Sequence, residues 1–388
     1  MAQIGPKMEL QGRLSILVLS LLFAAGGCQQ QQQAAAPAPA NRLLEEQFDN
    51  PPKIRRGSYP TPTVGTSYLE PNQLGPHSYR PELHERQNGN GIVYTCRAGH
   101  VDISHVREAA DWTAYLAAVT YKHLNNSDPE FSFTLKEGSV CFIHLTYPDG
   151  WQSLSEEDKE RLAFDLSVSL GRYFGYTAGS WHEMLTWFGY KSRGVFPEFP
   201  SSFSWEDTYS NLLGSDIGAD ALRDTKRTYD EAVTYAMDKT LENLGVQSAE
   251  AAKGAAEKVR GSWFTGEVPP FVDMKKRNFD IGLENGFITP WLVDSICECE
   301  GAKAQLYLVP NLIFLAEQGF SMKFEIEPRV WEGNEILSLV YPDKKSRNKY
   351  IEPDKDFAAI MSGIKREAQK RLLSAHVHSK LTSFRLHR

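Results

Sequence analysis

The chain has no excess of positive charge, few cysteines and no apolar run long enough to cross a bilayer, and each shortage removes a class of protein. Its 42 Lys and Arg stand against 49 Asp and Glu, a formal charge of -7. No basic field is present to collect phosphates, which excludes a nucleic-acid binder. Five cysteines in 388 residues are too few for a disulfide scaffold. The apolar run near the N-terminus, Leu14 to Ala25, is too short for a stable span. No complete catalytic motif and no internal repeat is present either.

What is there first is an address. Arg13, the apolar run and the small residues before Cys28 read as a secretory signal over 1–27. Small residues followed at once by Cys resemble a bacterial lipobox, which would make Cys28 the lipidated first residue of the mature chain, its acyl groups holding the protein to the membrane. Gln29 rather than Asp follows, so the resemblance implies the periplasmic face of the outer membrane. Residues 29–40, QQQQQAAAPAPA, read as a tether. The Pro- and Gly-rich stretch to Asn90 reads as an arm that wraps the domain or lacks order.

The main domain is expected over 91–355, with a basic helix and tail over 356–388, whose cations suit anionic headgroups or a solvated surface. Strand patterns at Ile92 to Cys96, Ser139 to Thr146, Trp291 to Glu300, Ala304 to Pro310, Met322 to Glu327 and Ile336 to Tyr341 interleave with helical periodicity. Ser104 is the expected cap of a helix from His105 to about Leu124. Capping-box pairs Ser155/Asp158, Ser180/Glu183 and Ser204/Asp207 announce three more, the last stopped by Gly214. The fold class is therefore α+β, a single mixed domain with several helices packed on a sheet.

The densest chemistry lies between Cys96 and Asp111, where Cys96, Arg97, His100, Asp102, His105, Arg107, Glu108 and Asp111 crowd one strand-to-helix connection. Three chemistries fit the residue types. His100, His105 and His182, with neighbouring carboxylates and His144, would suit zinc as a hydrolytic cofactor; position 186 is Thr, so the zincin helix motif that His182 and Glu183 begin is incomplete. Cys96 with a histidine base would give a thiol mechanism, although an oxidising periplasm favours a disulfide, for which Cys96 with Cys141 is one of the pairings the sequence leaves open. Glu183, set among Trp181 and Trp187, would serve as a general acid for sugars with Glu206 or Asp207 as partner. The candidate catalytic residues are thus His105, Glu108, Glu183 and Cys96. The bland readings stand beside them: histidines cap and pack, and Arg107 with Asp111 forms a helix-surface pair. Asn211 and Asp280 could line a pocket.

Four stretches, CRAGHVDISHVREAADWT, WHEMLTWFGY, FSWEDTYSNLLG and RNFDIGLENGFITPWLV, resemble the signature segments of an uncharacterised bacterial lipoprotein family classed only as a domain of unknown function, over roughly 85–370. The resemblance implies an envelope lipoprotein and carries no activity. Two functions are consistent with the whole: hydrolysis of a cell-envelope component, or binding of peptidoglycan or an envelope protein through the twelve aromatics from Tyr173 to Tyr209.

Overall fold

A computed structural model gives the fold, describing residues 42–385 except 45–47, 64, 83–88, 193–195, 267, 269–270 and 344–347. The expected signal, Cys28 and the tether lie outside the described residues. No helix among them is long and apolar enough to cross a membrane.

Helix α1 (Ile103–Asn125) is the axis of the domain, packed between α2 (Glu156–Trp187) and α3 (Asp207–Arg223). Its face of Val106, Ala109, Ala110, Thr113 and Ala117 meets glycines on both neighbours. A Cβ at Gly175 would come 2.7 Å from Thr113 Oγ1, and one at Gly218 would come 2.8 Å from Ala110 Cα. Small residues on all three helices thus bring the backbones into contact, which leaves polar side chains at the helix ends close together. Gly214 does not end its helix; α3 runs through it, because that glycine is where the Val106 carbonyl approaches.

A hairpin, β1 (Ile92–Thr95) and β2 (Gly99–Asp102), feeds α1 directly. The N-cap is Asp102, whose side chain accepts from the Ser104 amide, so the helix starts two residues ahead of the expected position. A second sheet orders β5 (Ser321–Glu327), β4 (Val140–Thr146) and β3 (Glu130–Thr134) antiparallel. Its register sets Phe131 and Phe324 across from Ile143, and Phe133 and Ile326 across from Cys141. All these side chains are buried. The alternation puts His144 on the other face, between Glu130 and Glu325 and away from α1.

Helices α4 (Tyr229–Asn243) and α5 (Ala249–Lys258) follow, α4 opened by a Thr228/Glu231 capping box. Helix α6 (Ile313–Glu317), α7 (Gly333–Val340) and α8 (Pro353–Arg385) complete the chain. The pattern from Ile336 to Tyr341 proved to be the apolar side of α7, too short a run for periodicity to separate from a strand. Trp291 to Glu300 contains a 3₁₀ turn rather than a strand, and only Tyr307–Leu308 pairs in the next segment. The result is a single mixed α+β domain.

Two corrections concern the cysteines. Cys96 is joined to Cys299, not to Cys141, which lies fully buried on the central strand with its side chain in the core. The bond occupies the Cys96 sulfur, so the thiol nucleophile is withdrawn.

The arm wraps α1. Phe48 stacks edge-on against Tyr79 and Tyr229 at 5.1 Å. Arg55 donates to Asp111 from Nε and Nη2, at 3.1 and 2.8 Å, and His77 Nε2 lies 2.9 Å from the same carboxylate. Arg107, not a surface residue, donates to the Leu74 and Gly75 carbonyls.

Candidate active site

Because α2 is one unbroken helix from Glu156, Ser180 caps nothing and Glu183 is free of the role its spacing suggested. It is 5% exposed and lines a cavity of about 30 Å³ with His105, Glu108, Lys136, Glu137, His182 and Asn211. That volume holds about one or two waters. The mouth is where the His105, Lys136 and His182 side chains are 23%, 21% and 14% exposed.

Three helix segments build the site. The start of α1 supplies Asp102 and His105, the last turns of α2 supply His182 and Glu183, and the start of α3 supplies Glu206 and Asp207. His105 Nδ1 sits 3.1 Å from Asp102 Oδ2 and 3.2 Å from Asp207 Oδ1. Burial works against its charge, but Asp102 and then Asp207 outweigh it and hold the ring well above the usual imidazole range. The arm closes this side: Ser58 N–H donates to Asp102 Oδ2 at 2.8 Å, and Ser104 Oγ donates to the Arg56 carbonyl. A Cβ on Gly57 would stand 3.2 Å from His105 Cε1, so glycine lets the strap lie against the ring without displacing it.

Glu183 accepts from the Phe203 amide at 2.6 Å. Phe203 itself has φ of 53°, a conformation an aromatic residue adopts only when its surroundings force it. Burial, and next the Asp207 carboxylate, push the Glu183 carboxyl up to about 7. Asp207 accepts from the Ser204 amide; burial raises it, with His105 opposing. Glu206 accepts from Ser204 Oγ at 2.6 Å, and burial followed by Asp207 raises it far above the carboxylate range. Asp102, Asp207 and Glu183 thus act on one imidazolium, and Glu206 lies in the field of Asp207 and Asp102.

Glu108 also lines the cavity but is neutralised: Lys136 Nζ lies 2.6 Å from Oε1 and the Arg55 amide donates to Oε2. Against its burial, Lys136 holds its carboxyl low. His182 pairs with Glu198 at 3.2 Å. His100 lies elsewhere: Nε2 bonds the Ala252 carbonyl, Nδ1 faces Trp205 Nε1, and burial lowers its pKa to about 4. His100, His105 and His182 therefore do not converge, and among the described residues no group of three His, Cys, Asp or Glu is arranged to hold a metal ion. Trp181, Trp187 and Trp205 are buried core residues and offer no wall for a ligand.

Sequence reasoning singled out His105, Glu108, His182 and Glu183, and the structure brings these four to one cavity. It treated Asp102 as part of the crowd, explained Asp207 as a cap, and missed Lys136, Gly57 and Ser58. The spacing of Asp102 and His105, one helical turn apart, was the available signal.

A family model described as a protein of unknown function, DUF4056, matches residues 48–287, well over half of the chain, and the chain belongs to that family. The matched span includes the arm from Phe48 onward and every residue of the cluster. No curated protein and no solved structure matches the chain.

Proposed function

We propose that this member of the family is a hydrolase of the cell envelope, held at the periplasmic face of the outer membrane by a lipidated Cys28, with Glu183 as its proton-transferring group. The observation that carries the reading is a cavity-lining carboxyl brought to about 7 beside a histidine kept protonated by two aspartates. A carboxyl poised there takes a proton from water and returns it to a leaving group with little bias either way. His105 stays charged throughout, because Asp102 and Asp207 flank its Nδ1. The membrane placement rests on the N-terminal sequence pattern alone.

The test is hydrolysis of an isolated envelope fraction by the mature chain, wild type against Glu183→Gln and His105→Ala. Loss of turnover of at least about 100-fold in the glutamine variant, with its circular dichroism unchanged, supports the reading. Full activity in that variant ends it. Mass spectrometry of the N-terminal peptide from the native host tests the anchor, acylated Cys28 being the expected form.

A further inference from the structure

The mechanism above leaves one cavity group unused. Asn211, on the second turn of α3, is 8% exposed and lines the cavity, yet its carboxamide has no hydrogen-bond partner among the described residues; only its backbone carbonyl is engaged, by Ser215. The carboxamide faces the solvent of the cavity rather than the core, so its N–H and C=O are open to a ligand there. Across from it, α2 carries Gly179, where a Cβ would stand 3.1 Å from Asn211 Cγ, so the wall gives way at the carboxamide. Glu137 Oε1, from another lining residue, is likewise without a partner.

The surroundings narrow the ligand. At about 30 Å³ the cavity is too small for a sugar ring but takes a planar group of two or three heavy atoms. A carboxamide N–H donor beside a water-activating carboxyl matches a carbonyl that becomes an oxyanion.

We infer that the site cleaves an acyl bond, an ester or amide with a small acyl group, and that Asn211 Nδ2 holds the carbonyl oxygen. The inference rests on the hydrolase reading and adds its substrate class. In the step, Glu183 carboxylate takes a proton from water as the water oxygen bonds to the carbonyl carbon. The carbonyl electron pair moves to the oxygen held by Asn211. When that pair returns, the bond to the leaving oxygen or nitrogen breaks, and Glu183 gives the leaving group its proton. The products are a carboxylic acid and an alcohol or amine.

The experiment uses the mature chain, wild type, Glu183→Gln, Asn211→Asp and Asn211→Ala, on 4-nitrophenyl acetate, 4-nitroacetanilide and a 4-nitrophenyl glycoside, with acetamide as a binding probe followed on the side-chain amide resonances of Asn211. The expected result is turnover of the acyl substrates only, a kcat about 100–1,000-fold lower in both Asn211 variants with little change in KM, and movement of the Asn211 resonances on adding acetamide. Three results overturn it: cleavage of the glycoside and not the acyl substrates, Asn211 variants with wild-type kcat, or Asn211 resonances indifferent to acetamide at saturating levels. In each, loss of turnover in Glu183→Gln would leave the hydrolase reading standing, so the two failures are separable. The acetamide arm needs only folded wild-type protein, which keeps the inference testable if a variant misfolds.

Discussion

Helix α1 carries two buried ionic clusters on successive turns, and they are built on opposite principles. At Asp111 the charge is met: Arg55 donates to it twice, His77 lies against it, and the carboxyl is held below its usual range because Arg55 first, with His77 beside it, outweighs the burial. At His105 it is not, since Asp102, Glu183 and Asp207 act on one imidazolium, Glu206 stands beside Asp207, and three of these four carboxyls are pushed upward. The first cluster is sealed, with Arg55 and Asp111 side chains 1% and 0% exposed. The second opens on a cavity. A cluster whose carboxylate is matched by a cation fastens one segment to another, whereas one over-supplied with carboxyls stores a proton and costs stability, which is what selection tolerates at a working site.

The contrast breaks if the sealed cluster is not structural. Asp111→Ala leaves Arg55 charged, buried and without its carboxylate, and should cost about 3–5 kcal/mol in denaturant unfolding at pH 7. Limited proteolysis should then cut first within 50–82, where the arm is released. The loss should shrink at low pH: the Asp111 carboxyl is depressed in the fold, so its contribution is present above the unfolded pKa and disappears as pH falls through the folded one. An unchanged midpoint would remove the arm's latch.

The other cluster should answer with the opposite sign. Glu183 is raised to about 7, so the folded state holds a proton that the unfolded chain, with an ordinary carboxyl, releases at lower pH. Stability therefore falls as pH rises from about 4.5 to about 7, and Glu183→Gln should remove that fall. Relative to wild type, the variant should gain up to about 3 kcal/mol between pH 5 and pH 8 while losing turnover. In wild type, kcat/KM should climb through about pH 7 as Glu183 ionises. A variant that is less stable at both pH values would show Glu183 to be a structural group.

Much of the balanced cluster's neighbourhood was hidden from the sequence, and for a definite reason. Arg55 and His77 lie 56 and 34 positions before Asp111, in a segment with no periodicity to place it, so an i, i+4 pair of Arg107 with Asp111 was the only local partner visible. The helix axis itself was legible, because the run of small residues from Val106 to Ala117 has a 3.6-residue period. His105 and Glu108 were legible as one face of that helix, and Glu183 through its polar neighbour in an aromatic run. The misreadings share one cause: local patterns with two solutions. Ser180 and Glu183 satisfy a capping box inside a continuous helix, and Gly214 satisfies a helix stop while serving as a contact point for α1. Tertiary packing decides between the two, and the sequence alone does not carry it.

Lys136→Met tests the border between the clusters, since Glu108 is the one cavity carboxylate with a cation of its own. Removing the ammonium should raise the Glu108 carboxyl, which Lys136 now holds low, and cost about 1–3 kcal/mol at pH 7. The deficit should fade below about pH 4, where Glu108 is protonated in the unfolded chain too. An equal deficit at both pH values would assign the loss to packing of the lysine stem.

The smallest expected effect is at the strap. Gly57→Ala places a methyl group 3.2 Å from His105 Cε1 and 3.3 Å from Nε2 and Asp102 Oδ2, contacts that require a shift of a few tenths of an ångström. A cost of about 1 kcal/mol is expected. The sharper readout is His105 itself, followed by its ring resonances in a pH titration. Its charge depends on sitting between Asp102 and Asp207, so a ring pushed away from Asp102 should release its proton at lower pH than in wild type. If the titration is unmoved while stability falls, the strap only packs on the ring. If it moves down, backbone from a segment without regular structure sets the charge state of the site, and the arm belongs to the chemistry as well as to the fold.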